Sequence, residues 1–158
     1  MKKTHQVTLI ITGIFIFLVV YSCESTNSGN GGNNQIISTY NSSKSHKTGE
    51  NCMNCHVPNG GGDGIFSVAG TVYNESLSSP LPNSTVRLYS TPDMDSAPLY
   101  VVEVDAKGNF YTTENIDFGD GLYTSVQGPS NEIIMESAIT TGSCNSCHGI
   151  STDKIWAE

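Results

Sequence analysis

Phe66-Ser67-Val68-Ala69-Gly70-Thr71-Val72-Tyr73 places Phe66, Val68 and Val72 on one side of an extended chain, and Ser67, Thr71 and Tyr73 on the other. Successive side chains of a strand point to opposite faces, so this period of two predicts a strand. The same texture recurs in short pieces downstream. A Ser/Pro loop, Ser76 to Asn83, leads into Thr85-Val86-Arg87-Leu88-Tyr89, and Leu99 to Val104 is a run rich in β-branched residues. Asp105-Ala106-Lys107-Gly108-Asn109 reads as a hairpin turn feeding Phe110-Tyr111-Thr112. Gly121 to Val126 and Glu132 to Ser137 complete the set, and no stretch keeps a helical period beyond two turns. Short strands divided by turn signals predict a mainly β chain, an antiparallel β-sandwich over residues 66–137.

The series Val68-Ala69-Gly70-Thr71-Val72, Pro80-Leu81-Pro82-Asn83-Ser84-Thr85-Val86, Asp105 to Phe110 and Gly121-Leu122-Tyr123 resembles the carboxypeptidase regulatory-like (transthyretin-like) domain over roughly residues 66–128. That resemblance implies a seven-strand Greek-key sandwich, usually non-catalytic and appended to secreted and outer-membrane proteins. It bears on fold and says little about activity.

The predicted sandwich is bracketed by Cys52-Met53-Asn54-Cys55-His56 and Cys144-Asn145-Ser146-Cys147-His148. Both are C-x-x-C-H, and they resemble the attachment sequence of c-type cytochromes. Two thiols three positions apart reach the two vinyl groups of one haem, and the adjacent His is delivered to the iron as proximal ligand. The resemblance implies two covalently bound haem c groups, one on Cys52, Cys55 and His56 and one on Cys144, Cys147 and His148. The segments around them are 46–65 and 138–158, and each looks like a minimal haem unit of a multihaem cytochrome. Three other readings compete. A local disulfide needs no His. A thioredoxin-like pair normally opens a helix in a βαβ setting, which is absent here. A shared zinc site must join pairs separated by 88 residues and leaves each following His unexplained.

Cysteine arithmetic agrees with haem attachment: of five Cys, four lie in the two motifs and the fifth is Cys23. The distal ligands are less determined. His46 is the one His left between residues 23 and 158 after His56 and His148, so it is a candidate sixth ligand, or a solvated linker residue. Met135, nine residues before Cys144, is the weaker candidate for the second iron, since core packing next to Ile133 explains it equally. Asn59-Gly60-Gly61-Gly62-Asp63-Gly64 reads as a tight wrap beside the first haem. Ile65, Phe66, Ile150, Ile155 and Trp156 are candidate haem-packing residues. Asp117-Phe118-Gly119-Asp120-Gly121 has the faint look of a calcium loop but lacks its ligand spacing. If an even number of strands separates the motifs, the haems are neighbours. If odd, they sit at opposite ends, about 25 Å apart for strands of seven or eight residues.

The first residues read as an export signal. Lys2 and Lys3 precede an apolar run, Val7 to Val20, whose 14 residues would span about 21 Å as a helix, short of a bilayer core. The run ends at Val20-Tyr21-Ser22-Cys23, which resembles the lipobox of bacterial lipoproteins and implies cleavage after residue 22 and acylation of Cys23. Acyl chains would anchor the protein, each buried CH₂ contributing roughly 0.8 kcal/mol. Of residues 24–45, 17 of 22 are Ser, Thr, Asn, Gly or Gln, so 23–45 reads as a flexible tether, with Ile36, Ile37 and Tyr40 as the hints of docking.

Two of the seven Lys/Arg lie in the signal, leaving 5 basic against 15 acidic residues, a net −10. Nothing here would neutralise phosphates, so nucleic acid is excluded as a partner. An acidic electron carrier is steered to partners that are basic at the contact. The sequence therefore predicts an outer-membrane lipoprotein, on the periplasmic or cell-surface face, that relays single electrons, with assembly into oligomers or filaments left open. Two alternatives stay open: a small peroxidase-like haem enzyme at an open second haem, and a non-redox surface binding module. No Ser-His-Asp set, paired catalytic carboxylates or phosphate-binding glycine loop is present.

Overall fold

A computed structural model describes residues 35–158. The expected signal segment, Cys23 and the tether up to residue 34 lie outside the described residues. Eight strands follow in order: β1 (Val68–Asn74), β2 (Thr85–Tyr89), β3 (Tyr100–Glu103), β4 (Asn109–Thr112), β5 (Tyr123–Gln127), β6 (Glu132–Ile134), β7 (Gly142–Ser143) and β8 (Ile155–Ala157). Among the described residues there is no α-helix, and none long and apolar enough to cross a membrane. The two helical pieces are single 3₁₀ turns at Cys52–Asn54 and Cys144–Ser146.

The strands form two four-stranded sheets. One has the order β3-β2-β5-β6, every pair antiparallel. In the other, β1 pairs with β4 along one edge, antiparallel, with Val68 opposite Thr112. Its second edge is shared by β7 and β8, which pair with Val68–Ala69 and Val72–Asn74 respectively, both in parallel. The expectation of an all-antiparallel architecture fails at this edge. The chain's last strands return in the direction of β1, and neither was expected from the sequence.

The alternation in β1 survives in a modified form. Val68 and Val72 join Val86, Leu88, Val102, Val104, Phe110, Ile116, Leu122, Val126 and Ala157 in one apolar cluster drawn from both sheets. Ala69 and Thr71, on the opposite side, are also buried. The outward face of β1 is covered because both C-x-x-C-H turns pack on it.

Residues 36–45, expected to be tether, are pinned to the body. Ser38 N–H donates to Tyr111 O (2.9 Å) and Tyr111 N–H to Ser38 Oγ (2.9 Å). Thr113 N–H donates to Ile36 O and Ala106 N–H to Ser42 O. Asn109, fully buried, donates to Ser45 Oγ (2.9 Å) and shares Thr71 Oγ1 (2.7 Å). The segment occupies the free edge of β4, whose backbone groups would otherwise be left open. Polar composition conceals this because the docking is made by backbone and hydroxyl bonds instead of apolar area.

Seven strands separate the two motifs, an odd number, yet the motifs abut. Counting strands assumes that each runs the length of its sheet. β7 is two residues long and stops opposite Ala69, the second of the seven residues of β1, so the second motif is set down beside Gly70 and Thr71 before β8 resumes the pairing.

Candidate functional site

Both motifs fold into the same turn. In the first, Cys55 N–H (3.1 Å) and His56 N–H (3.0 Å) donate to Cys52 O; in the second, Cys147 N–H (3.2 Å) and His148 N–H (3.0 Å) donate to Cys144 O. One helical turn brings residues three apart to the same side, so each pair of sulfurs shares a face. Asn51 caps the first turn, its Oδ1 accepting Met53 N–H at 3.1 Å. All four thiols are free.

The histidines are held alike. His56 Nδ1 lies 2.9 Å from Asp63 O, and His148 Nδ1 lies 2.7 Å from Asp153 O. A carbonyl at Nδ1 selects the tautomer with its proton there and leaves the Nε2 lone pair for a metal. His56 is buried, stacked on Phe66 with centroids 4.0 Å apart, and Phe66 stacks on Tyr111. The glycine loop expected beside the first haem packs around this imidazole. A Cβ on Gly62 would stand 2.7 Å from His56 Nδ1, so only glycine passes at that point.

His46 comes to the same place. Its ring centroid is 5.9 Å from that of His56, and both line a cleft of about 430 Å³ with Cys52, Cys55, Phe66 and Tyr111. Two imidazoles bound to one metal through bonds of about 2.0–2.1 Å place their centroids on the order of 6 Å apart. The second motif opens on a larger cleft, about 910 Å³, lined by Met135, Cys144, Cys147, His148, Ile155 and Trp156. Both volumes lie in the range of cofactor sites. Met135 sits just past β6, its N–H on Thr124 O at 2.9 Å and its side chain 37% exposed, so it lines the cleft and does not fill the core. Of the residues expected to pack on haem, Phe66, Ile155 and Trp156 line the clefts. Ile65 and Ile150 point to solvent, 55% and 75% exposed. Asp117 accepts Gly119 N–H at 3.0 Å, a turn bond that accounts for the calcium-like run.

Burial raises the Cys52 thiol above its ordinary value and pushes the Cys144 thiol up to about 12, with smaller contributions in the same direction from Cys52 and Cys147. Cys144 is half-buried, its Cβ packed where a side chain on Gly70 would stand, 3.0 Å away, beside Phe110. Among the described residues no three His, Cys, Asp or Glu side chains converge to hold a bare metal ion, whereas a structural zinc takes four ligands.

How the two motifs meet is not legible from the residues of either one. Ser143 Oγ donates to Asn51 Oδ1 (3.0 Å) and Asn145 Nδ2 to Glu50 O (3.0 Å), bonds that span 92 and 95 residues. Asn145 occupies a position that the motif leaves unspecified, so no signal marks it. Asn51 is legible only as the polar residue before a turn. Comparison with protein-family models, with curated proteins and with solved structures gave no match.

Proposed function

We propose that this chain is a membrane-anchored di-haem c-type cytochrome that relays single electrons outside the cytoplasm. The observation that carries the proposal is the pair of matching C-x-x-C-H turns, each with its imidazole oriented through Nδ1 and each facing a cleft of cofactor size. Cys52 and Cys55 hold the first haem by thioethers, and His56 supplies the proximal nitrogen. His46, which lines the same cleft with its ring centroid 5.9 Å from that of His56, would supply the distal one. Cys144, Cys147 and His148 hold the second, with Met135 as the weaker ligand within reach of its cleft. Haem, when bound, supplies a one-electron couple whose potential follows from its axial ligands and burial.

The surrounding protein supplies rigidity. Its two sheets share one apolar cluster, and the chain crosses between them after β1, β3, β4 and β6. This supports a Greek-key sandwich of the carboxypeptidase regulatory-like kind, with an eighth strand added at the β1 edge. The lipobox-like Cys23 supports anchoring at the bacterial outer membrane, and the acidic chain supports a redox partner that is basic at the contact.

The test is a spectro-electrochemical titration of the exported protein. Two reversible one-electron steps per chain are expected, without appreciable peroxide turnover. Absence of any reversible couple would overturn the proposal, and rapid peroxide consumption at a five-coordinate second iron would favour the peroxidase-like alternative.

A further inference from the structure

The geometry points to Asn145 as a positioning residue that locks the two C-x-x-C-H turns into one unit and so fixes how the two haems lie against each other. This inference rests on the di-haem reading and adds to it a device for coupling the sites.

Asn145 is 4% exposed and lies where the edge of β1 has no strand beside it, in the gap between β7 and β8. Its amide takes over the missing ladder. Oδ1 accepts Thr71 N–H at 3.2 Å, and Nδ2 donates to Thr71 Oγ1 at 3.2 Å. Nδ2 also donates to Glu50 O, two residues before Cys52. A buried amide that meets its partners this fully has little freedom to move, because each lost bond would leave a polar group without water.

The consequence is geometric. Asn145 stands next to Cys144 and two residues before Cys147, and Glu50 stands two before Cys52. Cys144, Cys147 and Cys52 are thus each a residue or two from a single hydrogen bond, so each motif has an attachment cysteine beside it. Gly49 N–H donates to the same Thr71 Oγ1 (3.0 Å), and Ser143 Oγ to Asn51 Oδ1 gives a second tie. Thr71 is the hub: one strand residue holds both turns. Because Thr71 holds both turns, haems borne on Cys52/Cys55 and Cys144/Cys147 would keep one separation and one mutual angle, and their charges would interact through space.

The test compares full-length, haem-loaded wild type with Asn145→Ala and Ser143→Ala. Two strongly absorbing haems at a fixed close angle give a bisignate Soret circular-dichroism couplet, and their electrostatic interaction separates the two one-electron steps. The couplet and the separation are expected in wild type, to be lost in Asn145→Ala, and to be weakened in Ser143→Ala, which keeps the amide and serves if Asn145→Ala does not fold. A wild type with two haems but no couplet would overturn the inference. So would variants that keep two haems, couplet and separation unchanged. A wild type without haem would overturn the underlying di-haem reading instead.

Discussion

Truncating Phe110 to alanine is expected to cost about 3–5 kcal/mol of folding stability, a large share of the ~5–15 kcal/mol that holds a domain of this kind. Phe110 is 0% exposed, lies in β4 opposite Gly70 of β1, and is the largest of the fully buried side chains. A side chain on Gly70 would meet the Phe110 ring at 2.6 Å, so glycine makes the space that the ring fills. Removing the ring opens a cavity between the sheets that neighbouring β strands cannot close. Phe110 also lines the second cleft, close to Cys144. The denaturation midpoint should therefore fall at unchanged denaturant slope, and the Soret band of the second haem should broaden while the first is spared. A midpoint within experimental error of wild type would show that the two sheets do not share the core described above.

The second large effect is at His46. Replacing it with alanine is expected to turn one haem of the two from six-coordinate low-spin to five-coordinate high-spin. The reduced protein should then bind about one carbon monoxide per chain more than wild type. His46→Met is expected to restore six-coordination and raise the potential of that haem, since Met/His ligation raises it above bis-His. The reasoning is spatial: 5.9 Å between the His46 and His56 centroids is the spacing of two imidazoles on one metal. The segment that carries His46 is tied down beside it, with Lys107 Nζ on Ser45 O and Asn109 Nδ2 on Ser45 Oγ. An unchanged spin state in His46→Ala would assign His46 to solvent and leave the distal position to another group.

What could be read from the sequence followed from how local each signal is. β1 and β2 were legible because a strand inside a β domain must alternate or be apolar, and Val68, Val72, Val86 and Leu88 obey that. A turn at Asp105 was legible from its residues, and Asp105 Oδ1 accepts the N–H of both Lys107 and Asn109. The expected hairpin is not formed, because β3 pairs with β2 and β4 with β1, so the turn carries the chain from one sheet to the other. The C-x-x-C-H pairs were visible in the sequence because their pattern lies in spacing alone, and both fold into the same turn. β7 and β8 were not. A two-residue and a three-residue strand carry no period, and they exist because β1 offers them an edge. Residues 36–45 were misread for a related reason. Their Ser-rich composition says nothing about Ser38 and Ser45 being buried and hydrogen-bonded. The adjacency of the motifs was the deepest of these non-local facts. It depends on where a short strand stops and on one amide standing in for a backbone.

The most direct test of the central claim is the count of covalently attached haems. The exported chain, produced with haem-attachment machinery, should give a pyridine haemochrome of the c type at two haems per chain and a matching intact mass. Cys55→Ser and Cys147→Ser should each impair covalent attachment at one site. A protein that carries no covalent haem, with its four thiols free to alkylation, would contradict the account.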